Sequence, residues 1–119
     1  MRTRLLACMI VFLAAGCGST EVHRVMLGTP GAPSPAEVKV VMEGSPLPAH
    51  YAEVAILQAI GSGTHANLEH VVEALRLEAA ALGCNAIVKV RVDQGTSQAS
   101  GTGVAIQIHD EPAAPQAAP

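Results

Sequence analysis

The sequence predicts a small α+β domain, a two-layer sandwich with one main helix on a sheet of four strands, in the order β-β-α-β-β. A fifth strand joins if a short N-terminal segment pairs. Two observations carry this. A single stretch has apolar residues at helical spacing, and two strand-like stretches lie on each side of it. A third sets the scale: 119 residues, 50% apolar but only 2% aromatic, allow one domain with a modest core. Alanine supplies 21 of the apolar positions, so Val, Leu and Ile must build most of that core.

In the helix, Leu68, Val71, Val72, Leu75, Ala79 and Leu82 recur at helical spacing, with Glu69, Glu73, Arg76 and Glu78 on the remaining faces. Residues 67–82 therefore read as an amphipathic helix with Leu75 in mid-stripe and Arg76 on the solvated side. Thr64 or Asn67 can cap its start, Glu69 suits the positive end of its dipole, and Gly83 is the expected stop.

Before it, Val38, Val40 and Met42 alternate with Lys39 and Glu43 as a half-buried strand ending at Gly44-Ser45-Pro46. Residues 54–60 are a nearly continuous apolar run, suited to a central strand. After it, Ala86, Val88, Val90 and Val92 alternate with Ile87, Lys89 and Arg91. Thr102, Val104, Ile106 and Ile108 repeat the pattern beyond a Gly/Ser/Thr-rich loop at 93–101. That composition reads as a long, mobile hairpin loop. One helix covers one face of such a sheet; the other must be polar, covered by the N-terminal segment, or buried in an oligomer.

The chain ends lie outside this domain, which spans residues 37–109. Arg2 and Arg4, an apolar stretch at 5–13 and the small residues Ala14-Ala15-Gly16 read as an export signal over residues 1–16. Leu13-Ala14-Ala15-Gly16-Cys17 resembles the lipobox of bacterial lipoproteins, whose cysteine is diacylated, freed by cleavage and acylated again on its new amino group. The resemblance implies a lipid anchor at Cys17, and Gly18 rather than Asp after it implies the outer membrane, with the domain facing the periplasm. Three acyl chains hold stably where one binds marginally. Residues 17–36 then read as lipidated cysteine and tether, with a short strand at 22–27 as an option, because residues 28–35 are Gly/Pro-rich. Residues 110–119 read as a Pro/Ala-rich tail.

Processing at this junction removes both N-terminal arginines and leaves five basic residues against ten acidic ones. Tyr51 becomes the sole aromatic side chain of the Phe, Tyr and Trp type. An acidic chain without stacking platforms is not expected to bind nucleic acid.

The segment LRLEAAALGCNAIVKVRVD followed by GTGVAIQI is similar to the YbjQ-like and RcsF-like domains of bacteria, over roughly residues 54–108. The signature is the Leu82-Gly83-Cys84-Asn85-Ala86-Ile87 junction together with Gly101-Thr102-Gly103-Val104-Ala105. These residues have a structural reading as well: Gly83 in a left-handed helix stop, Asn85 bonded to its own backbone in the turn, and Ala86 where strand and helix approach. The resemblance implies a non-enzymatic domain of the cell envelope, structural or sensory, that works through a protein partner or a second copy. RcsF-like domains carry two disulfides; here Cys84 alone is left once Cys17 is acylated, so no internal disulfide can form.

Candidate chemistry is sparse. Gly61-Ser62-Gly63-Thr64-His65 lies between a strand and a helix N-terminus, where free N–H groups can hold an anion, although a plain turn explains it and the lysine of a phosphate-binding loop is missing. His65, His70 and Cys84, with His50, Glu69 and Glu73 elsewhere, are ligand types for zinc or copper without metal-motif spacing. His65 and His70, five apart, fall on different faces of a helix and read as solvated. Cys84 reads as a small buried residue. Ser62 has no base or orienting partner, and nothing in the pattern calls for an enzyme or a cofactor. A small metal- or anion-binding module on the same fold is the alternative to the interaction protein.

Overall fold

The computed structural model describes residues 18–34 and 37–109. The export signal, Cys17 and the tail at 110–119 lie outside the described residues. The domain has five strands and one helix: β1 (Gly18–Met26), β2 (Lys39–Met42), β3 (Tyr51–Gly63), α1 (Leu68–Ala81), β4 (Ala86–Gln94) and β5 (Gln98–Ile108). They form one mixed sheet in the order β1-β3-β5-β4-β2, with α1 across one face. The α+β sandwich is thus observed, in its five-strand form. Among the described residues no helix is long and apolar enough to cross a membrane.

The helix follows its sequence pattern closely. Asn67 caps the start by accepting from the His70 N–H at 3.0 Å. Val71, Leu75 and Ala79 are its buried residues. At its end Cys84 N–H donates to the Ala79 carbonyl (2.9 Å) and Gly83 N–H to the Ala80 carbonyl (3.0 Å), with Gly83 at φ 77°. That pair of bonds around a left-handed glycine satisfies orphan carbonyls and puts Cys84 against Ala79 in the core.

β5 supplies the floor on which α1 rests. Its helix-facing positions are Ala99, Gly101, Gly103 and Ala105, paired with Gly61, Ala59, Leu57 and Ala55 of β3. A methyl group on Gly101 would stand 2.6 Å from Val71 Cγ1, and one on Gly103 would stand 2.6 Å from Ile87 Cγ2. The two glycines are therefore packing residues: they let the large helix and strand side chains reach the sheet backbone. The main core of Leu57, Val71, Leu75, Leu82, Cys84, Ile87 and Val90 fills this layer.

β4 departs from the simple alternation. A bulge between Val88 and Arg91, with Lys89 at φ 55°, sets two residues opposite one on β5. Ala86 and Val88 consequently face away from the helix, where they pack with Ile106, Val41, Tyr51, Val104 and Ile108, while Val90 joins the main core. The expected single stripe of Ala86, Val88, Val90 and Val92 is thus divided between two faces. The second face is apolar near Tyr51 and Ile108, and toward β1 it leaves Ile56 43% and Val25 61% exposed.

Three further readings are corrected. The segment at 93–101 is no long loop, because β5 begins at Gln98 and the hairpin is closed by Gly95 N–H donating to the Gln98 carbonyl at 2.8 Å. Asn85 does not bond to its own turn; its side chain accepts from Ile108 N–H (2.7 Å) and donates to the Ile108 carbonyl (3.2 Å), closing the end of the sheet. Arg76 is half-buried in a groove of about 350 Å³ with Leu68, Val72 and Glu73, and its Nε is shielded from water with no hydrogen-bond partner among the described residues.

The N-terminal segment is structural. Residues 18–26 pair in unbroken register with β3 from Gly18↔Gly63 to Met26↔Ala55. Arg24 adds a 2.7 Å ion pair to Glu78 of α1, and Leu27 and Gly28 both donate to the Val54 carbonyl. The Gly/Pro-rich stretch beyond passes the helix C-terminus, where Gly31 N–H donates to the Leu82 carbonyl and Ser34 N–H to that of Ala80. The strand expected at 22–27 therefore starts earlier, at Gly18.

Leu75, 1% exposed, is the largest buried residue of α1. Leu75→Ala is expected to destabilise the domain by about 2–5 kcal/mol through lost burial and a cavity. Arg76→Ala removes stem packing but also an unpartnered shielded N–H, so the opposing effects leave less than about 1 kcal/mol. Thermal melts of the two variants check the ranking. Gly103→Ala is expected to cost about 1–3 kcal/mol by overpacking against Ile87 and Val90.

Candidate functional site

The start of β1, the end of β3, the turn at 63–67, the start of α1 and the β4–β5 hairpin meet at one end of the sheet. The histidines come together here. β3 runs through Gly63 and α1 begins only at Leu68, so His65 precedes the helix and helical spacing does not govern it. Gly63, at φ 63°, turns the chain back, and the His65 N–H donates to the Ser62 carbonyl at 3.1 Å. The His65 ring then stacks on His70 with centroids 4.2 Å apart and planes 12° apart. The expectation that the two imidazoles point to different faces is corrected.

Each ring is held by a neighbour. His65 Nδ1 lies 2.9 Å from Thr20 Oγ1, a contact across 45 residues of sequence. Asn67 Nδ2 donates to the Thr64 carbonyl, which orients its amide and leaves Oδ1 to accept both the His70 backbone N–H and, at 2.9 Å, His70 Nδ1–H. The His70 tautomer is thereby set, with the lone pair on Nε2 when the ring is neutral.

This arrangement limits metal chemistry. A metal sits in the plane of an imidazole, about 2.0–2.1 Å from its nitrogen. Nearly parallel stacked rings hold their lone pairs in separate planes, so one ion cannot occupy both lone-pair axes unless a ring turns. Among the described residues no group of three His, Cys, Asp or Glu side chains is placed to hold a metal.

The strand-to-helix segment is equally committed. Gly61 and Ser62 are ladder residues between β1 and β5. Gly63 N–H donates to the Ser97 carbonyl at 3.4 Å, and Ala66 and Asn67 N–H donate to Gly63 and His65 carbonyls. Most backbone donors that would cradle an anion are already spent. Glu69 in the first turn of the helix adds a competing carboxylate. Gly61 is there for packing, since a Cβ would meet the His65 carbonyl carbon at 2.9 Å.

Cys84 is fully buried at the other end of the helix, apart from the histidines, and burial pushes its thiol above the ordinary 9.0. A protonated, enclosed thiol is a core residue and a poor nucleophile. Thr20 and Asn67, which position the imidazoles, carried no sequence signal for that role: Thr20 meets His65 only because β1 pairs with β3. Comparison with protein-family models, curated proteins and solved structures found no match to the chain.

Native Cys84 is expected to resist a thiol reagent at pH 8 and to react fully in denaturant. Because its folded pKa is raised, its contribution to stability is complete below pH 9.0 and is lost as pH rises beyond it, by at most about 1.4 kcal/mol per pH unit. Melting temperatures from pH 8 to pH 10 should therefore fall further for the native chain than for Cys84→Ala.

Proposed function

We propose that this chain is a non-enzymatic lipoprotein of the bacterial envelope, anchored through acylated Cys17 and acting through contacts made by its α+β domain. The observation that carries the reading is that every described residue of the fold lies after the lipobox-like junction, beginning with Gly18 in register with Gly63. The lipobox-like Leu13-Ala14-Ala15-Gly16-Cys17 precedes Gly18, so cleavage before Cys17 removes the signal and leaves the described fold intact. Gly18 at the sorting position favours the outer membrane, with the domain toward the periplasm.

The resemblance to YbjQ-like and RcsF-like domains supports a structural or sensory role over catalysis. So does the chemistry of the site, where the backbone donors, the hydroxyl of Thr20 and the Asn67 amide all serve the turn itself. The partly exposed second sheet face, with Val25 and Ile56 beside Gln58 and Thr102 around a depression of about 270 Å³, offers surface for a protein partner or a second copy. Metal or anion binding is the weaker reading, because the stacked imidazoles must separate before they can share an ion.

Mass spectrometry of the membrane fraction is expected to find an acylated N-terminal Cys17, and Cys17→Ala to yield unprocessed or soluble protein. An unmodified Cys17 in a soluble pool overturns the proposal. Cross-linking of the anchored protein should return a reproducible protein partner or a second copy. Micromolar zinc, copper or phosphate binding that is lost in His65→Ala or His70→Ala would instead establish the binding module.

A further inference from the structure

We infer that the domain has no spacer between its anchor and its fold, and that the end bearing His65 and His70 is seated against the lipid surface. The inference rests on acylation of Cys17. One peptide bond joins Cys17 to Gly18, and consecutive Cα atoms are about 3.8 Å apart. Gly18 is the first residue of β1, in register with Gly63. It is packed against the turn: a Cβ there would stand 2.9 Å from the His65 backbone nitrogen and 3.0 Å from its ring. The acyl chains therefore leave the protein beside the strand-to-helix turn.

The length of the sheet gives this attachment a direction. β3 runs 13 residues away from the anchor, to Tyr51, which at about 3.3 Å per residue places the Tyr51 and Ile108 end roughly 40 Å away. That far end reaches the bilayer only if the molecule lies on its side. The strand-to-helix turn at 61–66 and the hairpin at 95–101 contain no acidic side chain, Glu69 of the first helical turn stands beside His70, and Glu21, Glu53 and Glu73 are exposed along the flanks. The polar groups that headgroups meet at the near end are Ser62, Thr64, Ser97 and the stacked imidazoles, with Glu69 beside them. Gly18 thus has a packing reason to be glycine, separate from any sorting rule.

The test uses the full chain, expressed and processed, with Cys84 replaced by alanine and one fluorophore at Ser97→Cys or Gln107→Cys. Both positions are exposed, Ser97 in the hairpin turn just before β5 and Gln107 near the far end of that strand. Each lipoprotein is reconstituted in vesicles of phosphatidylethanolamine and phosphatidylglycerol containing a nitroxide-headgroup lipid, which quenches at short range. The expected result is several-fold stronger quenching at Ser97 than at Gln107. A flexible Gly/Ser insert after Cys17, beginning with Gly, should abolish the difference. Equal or reversed quenching on protein whose acylation is verified by mass overturns the seating and leaves the anchor standing. Absence of acylation overturns both.

Discussion

The seat of α1 on the glycine and alanine track of β5 is the contact on which the rest of the domain depends. With few large side chains available, the core must be thin, and a thin core excludes water only if helix and sheet approach closely. Gly101 and Gly103 allow that approach, Val71 and Leu75 use it, and Asn67 and Gly83 end the helix so that its apolar stripe is no longer than the sheet beneath. Alanine-rich composition and glycine in a strand, each a weakness on its own, become a single packing solution when they face each other.

The second constraint is β1. Its ladder to β3 is reinforced at both ends, by Thr20 against His65 and by the backbone donors of Leu27 and Gly28 on Val54, with Arg24 and Glu78 between them. The bulge that admits Val54 into β3 therefore serves the core and the N-terminal segment together, since Val54 is buried while its carbonyl receives that segment. What a composition-based reading takes for a tether is an edge strand, paired with β3 from Gly18 onward.

The imidazole pair shows how a local rule fails at an element boundary. Five residues on a continuous helix separate two side chains; five residues across a turn and a cap bring them together. The Cβ directions at His65 and His70 come from different backbone conformations, one set by Gly63 at positive φ and the other by the helix. A ligand reading based on residue type would have taken the pair as a chelating site, but the stack and the hydrogen bonds on each Nδ1 make it part of the turn.

Much of this protein was legible in its residues. The helix with its two caps, the strands on either side of it, the helix-facing burial of Leu75 and the buried nature of Cys84 all follow from periodicity and small-residue chemistry, which act over a few positions. The extra residue in β4 that sends Val88 and Val90 to opposite faces, the reach of Asn85 to Ile108, the partial burial of Arg76, and the pairing of β1 from Gly18 onward were decided only by the tertiary structure. Each depends on what lies across a strand pair or beneath a helix, and the partners are set by register between segments distant in the chain, which local pattern does not encode.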